Sequence, residues 1–380
     1  MKTLIKTAFA VLILLGLVNY AKAQLQNQYS TVTTGAAFLL ISPDARNSAV
    51  GEAGTGLTSD ANSNFINGAK LSFANKTGVS VSYVPWMMEI DKNLHLGNLN
   101  AYHRLNDKEV IGVSLKYFDQ GNINFRDENG GLLQQYNANE FAIDGTYSRK
   151  FGDNLAIALT GRFIRSDLGN GTFNGLQVNP VNAYAADISV YSEKTLNNSR
   201  YAWGVSLTNI GTKLKYSSGA TAESFLPMNL RIGGGYTLLK NKSNSLTFLL
   251  DVNKLMVPSP PRYKVDANGI ATNEIEKGKD PARSVPSALF TSLFDAPGGF
   301  REEISEFTIA GGMEFAYMNQ LFLRTGYFYE DPDKGNRQHV SVGLGLKVKA
   351  FQFDMSYVAP TARRYVLRNG IKFTLSYAID

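Results

Sequence analysis

The sequence predicts an all-β membrane protein, an antiparallel barrel of about fourteen strands that cross a bilayer and close on themselves. Three observations predict it. Apolar and polar residues alternate over segments of roughly ten to fifteen residues, enough for a tilted strand to cross a hydrocarbon core. The chain has 35 Gly, 19 Tyr and 22 Phe but only 18% charged residues, a balance that favours strands and turns over charged helices. Its start reads as an export signal.

In residues 1–23, Lys2 and Lys6 precede an apolar run from Ala8 to Val18, and Ala21-Lys22-Ala23 is a small-x-small cleavage signature, so Gln24 is the expected mature N-terminus. The run is shorter than the roughly twenty residues a membrane helix needs, and no later stretch reaches that length without charge. The chain has 0 Cys, which removes disulfides, thiolate metal sites, thiol nucleophiles and a lipidated first residue together. The net charge of +6 is spread along the chain without aromatic interleaving, so no nucleic-acid groove is expected.

From about residue 79 the alternation is regular. Ile111, Val113, Leu115 and Tyr117 oppose Gly112, Ser114 and Lys116, and Leu246, Phe248, Leu250 and Val252 oppose Thr247, Asp251 and Asn253. The last segments are the clearest: Val340, Val342, Leu344, Leu346 and Val348, then Phe351, Phe353, Met355 and Tyr357, then Ile371, Phe373, Leu375 and Tyr377. A soluble sandwich also alternates, but with strands nearer five or six residues. Trp86, Tyr102, Trp203, Tyr236, Tyr329 and Tyr357 stand near segment ends, as an interfacial girdle would.

The expected strands are 79–90, 93–105, 109–126, 138–151, 153–167, 182–194, 200–216, 228–240, 244–254, 305–318, 320–330, 338–348, 350–360 and 369–379. Connections after even-numbered strands are mostly short, and those after odd-numbered ones longer, including 127–137, 168–181, 217–227 and 255–304. Barrels of this class keep short turns in the periplasm, so both barrel ends are expected there.

Three parts of the chain are therefore expected: a signal at 1–23, an N-terminal segment at 24–78, and a barrel at 79–380. The middle segment lacks the strand pattern and is rich in small residues. Its glycines do not follow a G-x-G-x-x-G or GK[ST] order, which argues against a phosphate loop. Asp44, Arg46, Gly51, Gly54 and Gly56 are instead the candidate residues of a plug packed in the lumen.

Such a segment, ahead of fourteen strands, resembles the FadL-like outer-membrane barrels. Within them the chain is most similar to the PorV (LptO) family of the type IX secretion system of Bacteroidetes. The resemblance spans essentially the whole mature chain. It is carried by Phe38-Leu39-Leu40-Ile41-Ser42-Pro43-Asp44-Ala45-Arg46, Asp60-Ala61-Asn62, Tyr83-Val84-Pro85-Trp86, Ser287-Ala288-Leu289-Phe290-Thr291 and Asp295-Ala296-Pro297-Gly298-Gly299. Gly68 stands where the wider family has proline, and the chain lacks the terminal aromatic common in barrels. The resemblance implies an outer-membrane secretion component whose partners are the type IX translocon barrel, cargo C-terminal domains, a PorU-like sortase and outer-membrane lipid.

No catalytic constellation emerges. His95, His103 and His339 are scattered, and there is no G-x-S-x-G sequence. Asp331-Pro332-Asp333-Lys334-Gly335 starts like a calcium loop but lacks the later ligands, and reads as a polar hairpin turn. No cofactor and no metal are expected. Lys116, Asp144, Arg162, Asp251, Glu314, Arg324, Lys347, Asp354 and Lys372 occupy the polar strand faces, as in a plugged lumen held by ion pairs through Asp44 or Arg46.

The stretch 255–304 is expected to contain no strand, and loops of that length are usually functional. Ser284 and Pro286 are positioned to start a short helix that Pro297-Gly298-Gly299 stops. An apolar helix above a membrane marks a protein contact or a lid. Leu255, Met256, Val257, Pro286, Leu289, Phe290, Leu293, Phe294 and Phe300 form the candidate partner-binding set. The alternative is a transporter of hydrophobic small molecules with Phe118, Phe322 and Phe328 facing inward.

Overall fold

The computed structural model describes residues 31–86, 93–126, 130–173, 176–217, 223–239, 243–266, 270–362 and 370–379. The expected signal segment at 1–23 lies outside them. The strands are β1 (Thr77–Pro85), β2 (His95–Arg104), β3 (Glu109–Arg126), β4 (Leu132–Phe151), β5 (Leu155–Asp167), β6 (Gly171–Phe173), β7 (Leu176–Val178), β8 (Val181–Leu196) and β9 (Ser199–Gly211). They continue as β10 (Asn229–Leu239), β11 (Ser245–Leu255), β12 (Arg262–Val265), β13 (Ala271–Lys277), β14 (Phe307–Tyr317), β15 (Leu321–Tyr329), β16 (Gln338–Val348), β17 (Phe351–Pro360) and β18 (Gly370–Ile379).

Fourteen of these form one closed antiparallel barrel in the order β1-β18-β17-β16-β15-β14-β11-β10-β9-β8-β5-β4-β3-β2. Pairing of β1 with β18, from Thr77↔Ile379 to Tyr83↔Phe373, closes it without a free edge. β6–β7 and β12–β13 are separate two-stranded hairpins within the loops.

Strand period dictates the two faces of this wall. On β1, Val79, Val81 and Tyr83 point out while Ser80 and Ser82 are buried inside; on β16, Val340, Val342, Leu344 and Leu346 point out while Ser341 is buried. An apolar belt facing outward is stable only in lipid, and among the described residues no helix is long and apolar enough to span a membrane. One end carries tight turns: between β14 and β15 the chain reverses in three residues, 318–320, of which Met318 and Asn319 both take left-handed backbone (φ 53° each), the hand that suits right-twisted strands.

The structure corrects three expectations. Trp86 and Tyr102 are not girdle residues: strand alternation turns both inward, where Trp86 meets Phe118 edge-on at 5.8 Å and Tyr102 is buried beside Leu71. The loop after β3 is shorter than expected because β3 and β4 continue as a hairpin, paired from Asn122↔Asn137 to Arg126↔Leu132 beyond a register shift at Asp119. The stretch 255–304 does contain strands, since β12 and β13 pair from Arg262↔Lys277 to Val265↔Ala271.

Candidate functional site

Residues 36–74 fill the lumen. They form 3-10 turns at Ala37–Leu40 and Gly68–Phe73 around two short helices, α1 (Ala45–Ala49) and α2 (Ser63–Ile66). Asp44 starts α1 because its carboxylate accepts the Arg46 and Asn47 amides at 3.0 and 2.9 Å, supplying partners for donors that a first turn leaves open.

Ion pairs fix this plug to the wall. Arg46 donates a fork to Glu314, Nε to Oε2 and Nη2 to Oε1, both at 3.0 Å, and reaches Asp60 at 2.8 Å. Glu314 also accepts Arg324 Nε at 2.7 Å, and Arg324 reaches Asp354 at 2.6 Å. The charges alternate in sign through a buried chain, the arrangement in which low dielectric strengthens attraction.

Wall residues also satisfy the plug's backbone carbonyls. Lys372 donates to Ser42 O at 2.8 Å, Lys116 to Ile41 O at 2.9 Å, and Arg200 to Gly56 O at 3.0 Å. Asp251 accepts both the Thr55 amide at 3.1 Å and its hydroxyl at 2.7 Å. Within the wall, Arg162 bridges Asp144 and Asp187. Of the expected lumen charges, Lys347 alone is exposed, at a strand end.

The plug glycines act by close approach. Gly51 has φ +68°, and a Cβ there would stand 2.6 Å from the Tyr327 amide nitrogen. Gly56 lies flat against Gly235 in the wall, and Gly54 packs inside the plug against Asn47 and Ile66.

Above the plug, at the long-loop end, a cavity of about 780 Å³ opens. Val84, Trp86 and Phe118 contribute an apolar side; Glu52, Arg231, Arg337 and Lys372 contribute a charged one, and His339 is also in the lining. His339 stacks on Phe328 at 5.2 Å. The plug forms the floor. Phe118, Phe322 and Phe328 all take the inward side of their strands as expected, but half-buried Phe322 lies against Arg324 and outside this cavity. His95 sits among Tyr83 and Tyr117, and His103 bonds Thr77, so the three histidines do not meet. Among the described residues no group of acids and histidines could hold a metal.

The loop between β11 and β14 carries helices α3 (Val285–Thr291) and α4 (Phe300–Ser305). Ser284 and Pro286 start α3 as expected, but it ends at Thr291, ahead of Pro297. Ala288, Leu289 and Leu293 pack on Phe225, Met228, Met256 and Val257. Met256 and Val257 thus hold the loop down from beneath, so these two expected surface contacts are core residues, and Leu255, Leu289 and Leu293 of the same expected set are half-buried against them. Phe290 and Phe294 remain 73% and 78% exposed, and Pro286 and Phe300 are exposed as well.

A cluster that sequence patterning did not reveal secures the second helix. Lys254 pairs with Glu303 at 2.7 Å and Glu306 at 2.6 Å, and Lys334 with Glu302 at 2.6 Å and Glu306 at 3.0 Å. Burial pushes the Glu306 carboxyl up, but Lys254, Ser259 and Lys334 outweigh it and hold it below the ordinary glutamate value.

A family model described as the type IX secretion system protein PorV matches residues 23–262. Among solved structures, the toluene transporter TbuX of Ralstonia pickettii aligns with a TM-score of 0.54 at 10% identity, over 90% of this chain and 98% of its own. The toluene transporter TodX of Pseudomonas putida aligns with a TM-score of 0.51 at 14% identity, over 92% and 99%. At such identities the likeness is one of fold, and it agrees with the FadL-like barrel expected from the sequence. Among curated proteins none matches the chain.

Proposed function

Because the chain belongs to the PorV family of type IX secretion proteins, we propose that it is a plugged outer-membrane scaffold that binds the translocon barrel and the C-terminal domains of secreted cargo. It then passes that cargo to a surface attachment complex containing a PorU-like sortase. The observation that carries this reading is the pair Phe290, on α3, and Phe294, three residues past its end, both held exposed while the other face of α3 is anchored in the loop core. On this reading the short turns are periplasmic, the long loops lie outside the cell, and the protein catalyses nothing.

Deleting 284–299 tests it. With the barrel still assembled, cargo secretion and translocon co-purification should both be lost; if both persist at wild-type levels, the loop is not the partner surface.

The cavity above the plug favours a second reading, a carrier of hydrophobic small molecules, which is also what TbuX and TodX are described as transporting. The many plug anchors weigh against a through-path. A lipid or aromatic compound retained in the purified protein, with uptake lost on perturbing Gly51–Gly56, would support it.

A further inference from the structure

Helix α4 is built the opposite way from an ordinary surface helix. Its acidic residues face in and its apolar residues face out: Glu302 is 1% exposed, while Phe300 is 80% and Ile304 53% exposed. The inward face is fully engaged. Besides the two lysines, Glu302 accepts the Gly298 amide at 2.6 Å and Glu303 accepts the Ala296 amide at 3.2 Å. The helix is therefore seated by charge, and its apolar face is left free.

The position of Lys254 locates this helix on the rim. Strand alternation puts Lys254 on the same side of β11 as the lipid-facing Phe248 and Leu250, directly opposite Phe307 and 5.3 Å from its ring. Its side chain is nonetheless 0% exposed, because Glu303 and Glu306 cover it. Lys254, Glu306 and Lys334 also border the cavity, so α4 sits on the rim itself, where β11 and β14 end.

Its apolar residues continue the belt below. Phe300, Ile304 and Phe307 recur at i, i+4 and i+7, and Glu306 keeps helical backbone (φ −80°, ψ −10°), so the three share one stripe. From Phe307 the stripe runs on along β14 into Ile309 and Met313, which face lipid.

We propose that α4 is a membrane-interface anchor, with Phe300 and Ile304 inserted among acyl chains just below the headgroups at the long-loop end. The occupant is lipid, because the stripe is one surface with the lipid-facing belt. Phe300 then leaves the protein-binding set, and α3 is carried at a fixed height above the bilayer. The proposal is independent of the secretion reading.

The 0 Cys of the chain make the test direct. Phe300→Cys, Ile304→Cys and Phe294→Cys are each labelled with a nitroxide in phospholipid nanodiscs, and relaxation by oxygen is compared with relaxation by a water-soluble nickel chelate. Positions 300 and 304 should be shielded from nickel several-fold relative to 294 while remaining open to oxygen. Nickel access equal to that at 294 overturns the anchor, and so does exclusion of both reagents, which would mean cover by protein. A label-free variant, Phe300→Trp in a Trp86→Phe, Trp203→Phe background, should be quenched by brominated phospholipid. Unquenched emission overturns the proposal equally.

Discussion

Arg46 of the plug and Glu314 of β14 meet through two parallel hydrogen bonds of 3.0 Å, across 268 residues of sequence. Both side chains are 6% exposed, so neither charge has water to fall back on.

Arg46→Met should therefore destabilise the protein by about 3 kcal/mol, since it leaves buried Glu314 with Arg324 as its one remaining arginine and takes from half-buried Asp60 its arginine partner. Urea titration in detergent micelles, followed by loss of heat-modifiable migration, measures this. A loss below about 1 kcal/mol would show that the pair does not hold the plug.

Gly51→Val tests close approach rather than charge. The left-handed φ of +68° penalises any Cβ, and the Tyr327 backbone 2.6 Å away cannot yield as a flexible side chain would. The plug should shift from the wall, at a cost of about 1–3 kcal/mol, and protease should cut between 36 and 74 in the assembled barrel. Gly130→Val, with φ +82° but no atom within 4 Å, should leave the plug protected.

The barrel was legible because one physical rule, alternation against lipid, repeats in every strand; β3 and β16 have the expected bounds, Glu109–Arg126 and Gln338–Val348. The plug was legible as a change of pattern, and Arg46 as its one arginine before the barrel. Which acid it would meet was not, because Glu314 and Asp354 look alike from their own strands. The loop was the least legible part. Met256 and Val257 read as surface because nothing local says that α3 will cover them, and Lys254 breaks an apolar alternation for a reason that lies in Glu303 and Glu306, far along the chain. A lysine on a lipid-facing position was the available signal.

Phe290→Ser with Phe294→Ser should separate binding from folding. Both rings are mostly exposed, so stability should change by no more than about 0.5 kcal/mol. Co-purification of the translocon and secretion of cargo should fall together. Normal secretion by a normally assembled double variant would remove these rings from the partner surface.

Acid should release α4 before the barrel yields. The folded pKa of Glu306 lies below its ordinary 4.5, so the protein binds fewer protons at this site than the unfolded chain does near that pH. Its contribution is thus complete above about 4.5 and is lost as pH falls through the lower folded value. Protonation would leave Lys254 and Lys334 facing each other with less negative charge between them, which weakens the clamp further. Hydrogen exchange at 300–306 should be slow and constant from pH 7 down to the ordinary glutamate value of 4.5 after correction for intrinsic rates, then accelerate at lower pH, with the β14–β15 amides unchanged. Lys334→Met should show the fast exchange already at pH 7, because Glu302 then lies buried without its lysine. If α4 stays protected in that variant, the ion cluster is not what seats it.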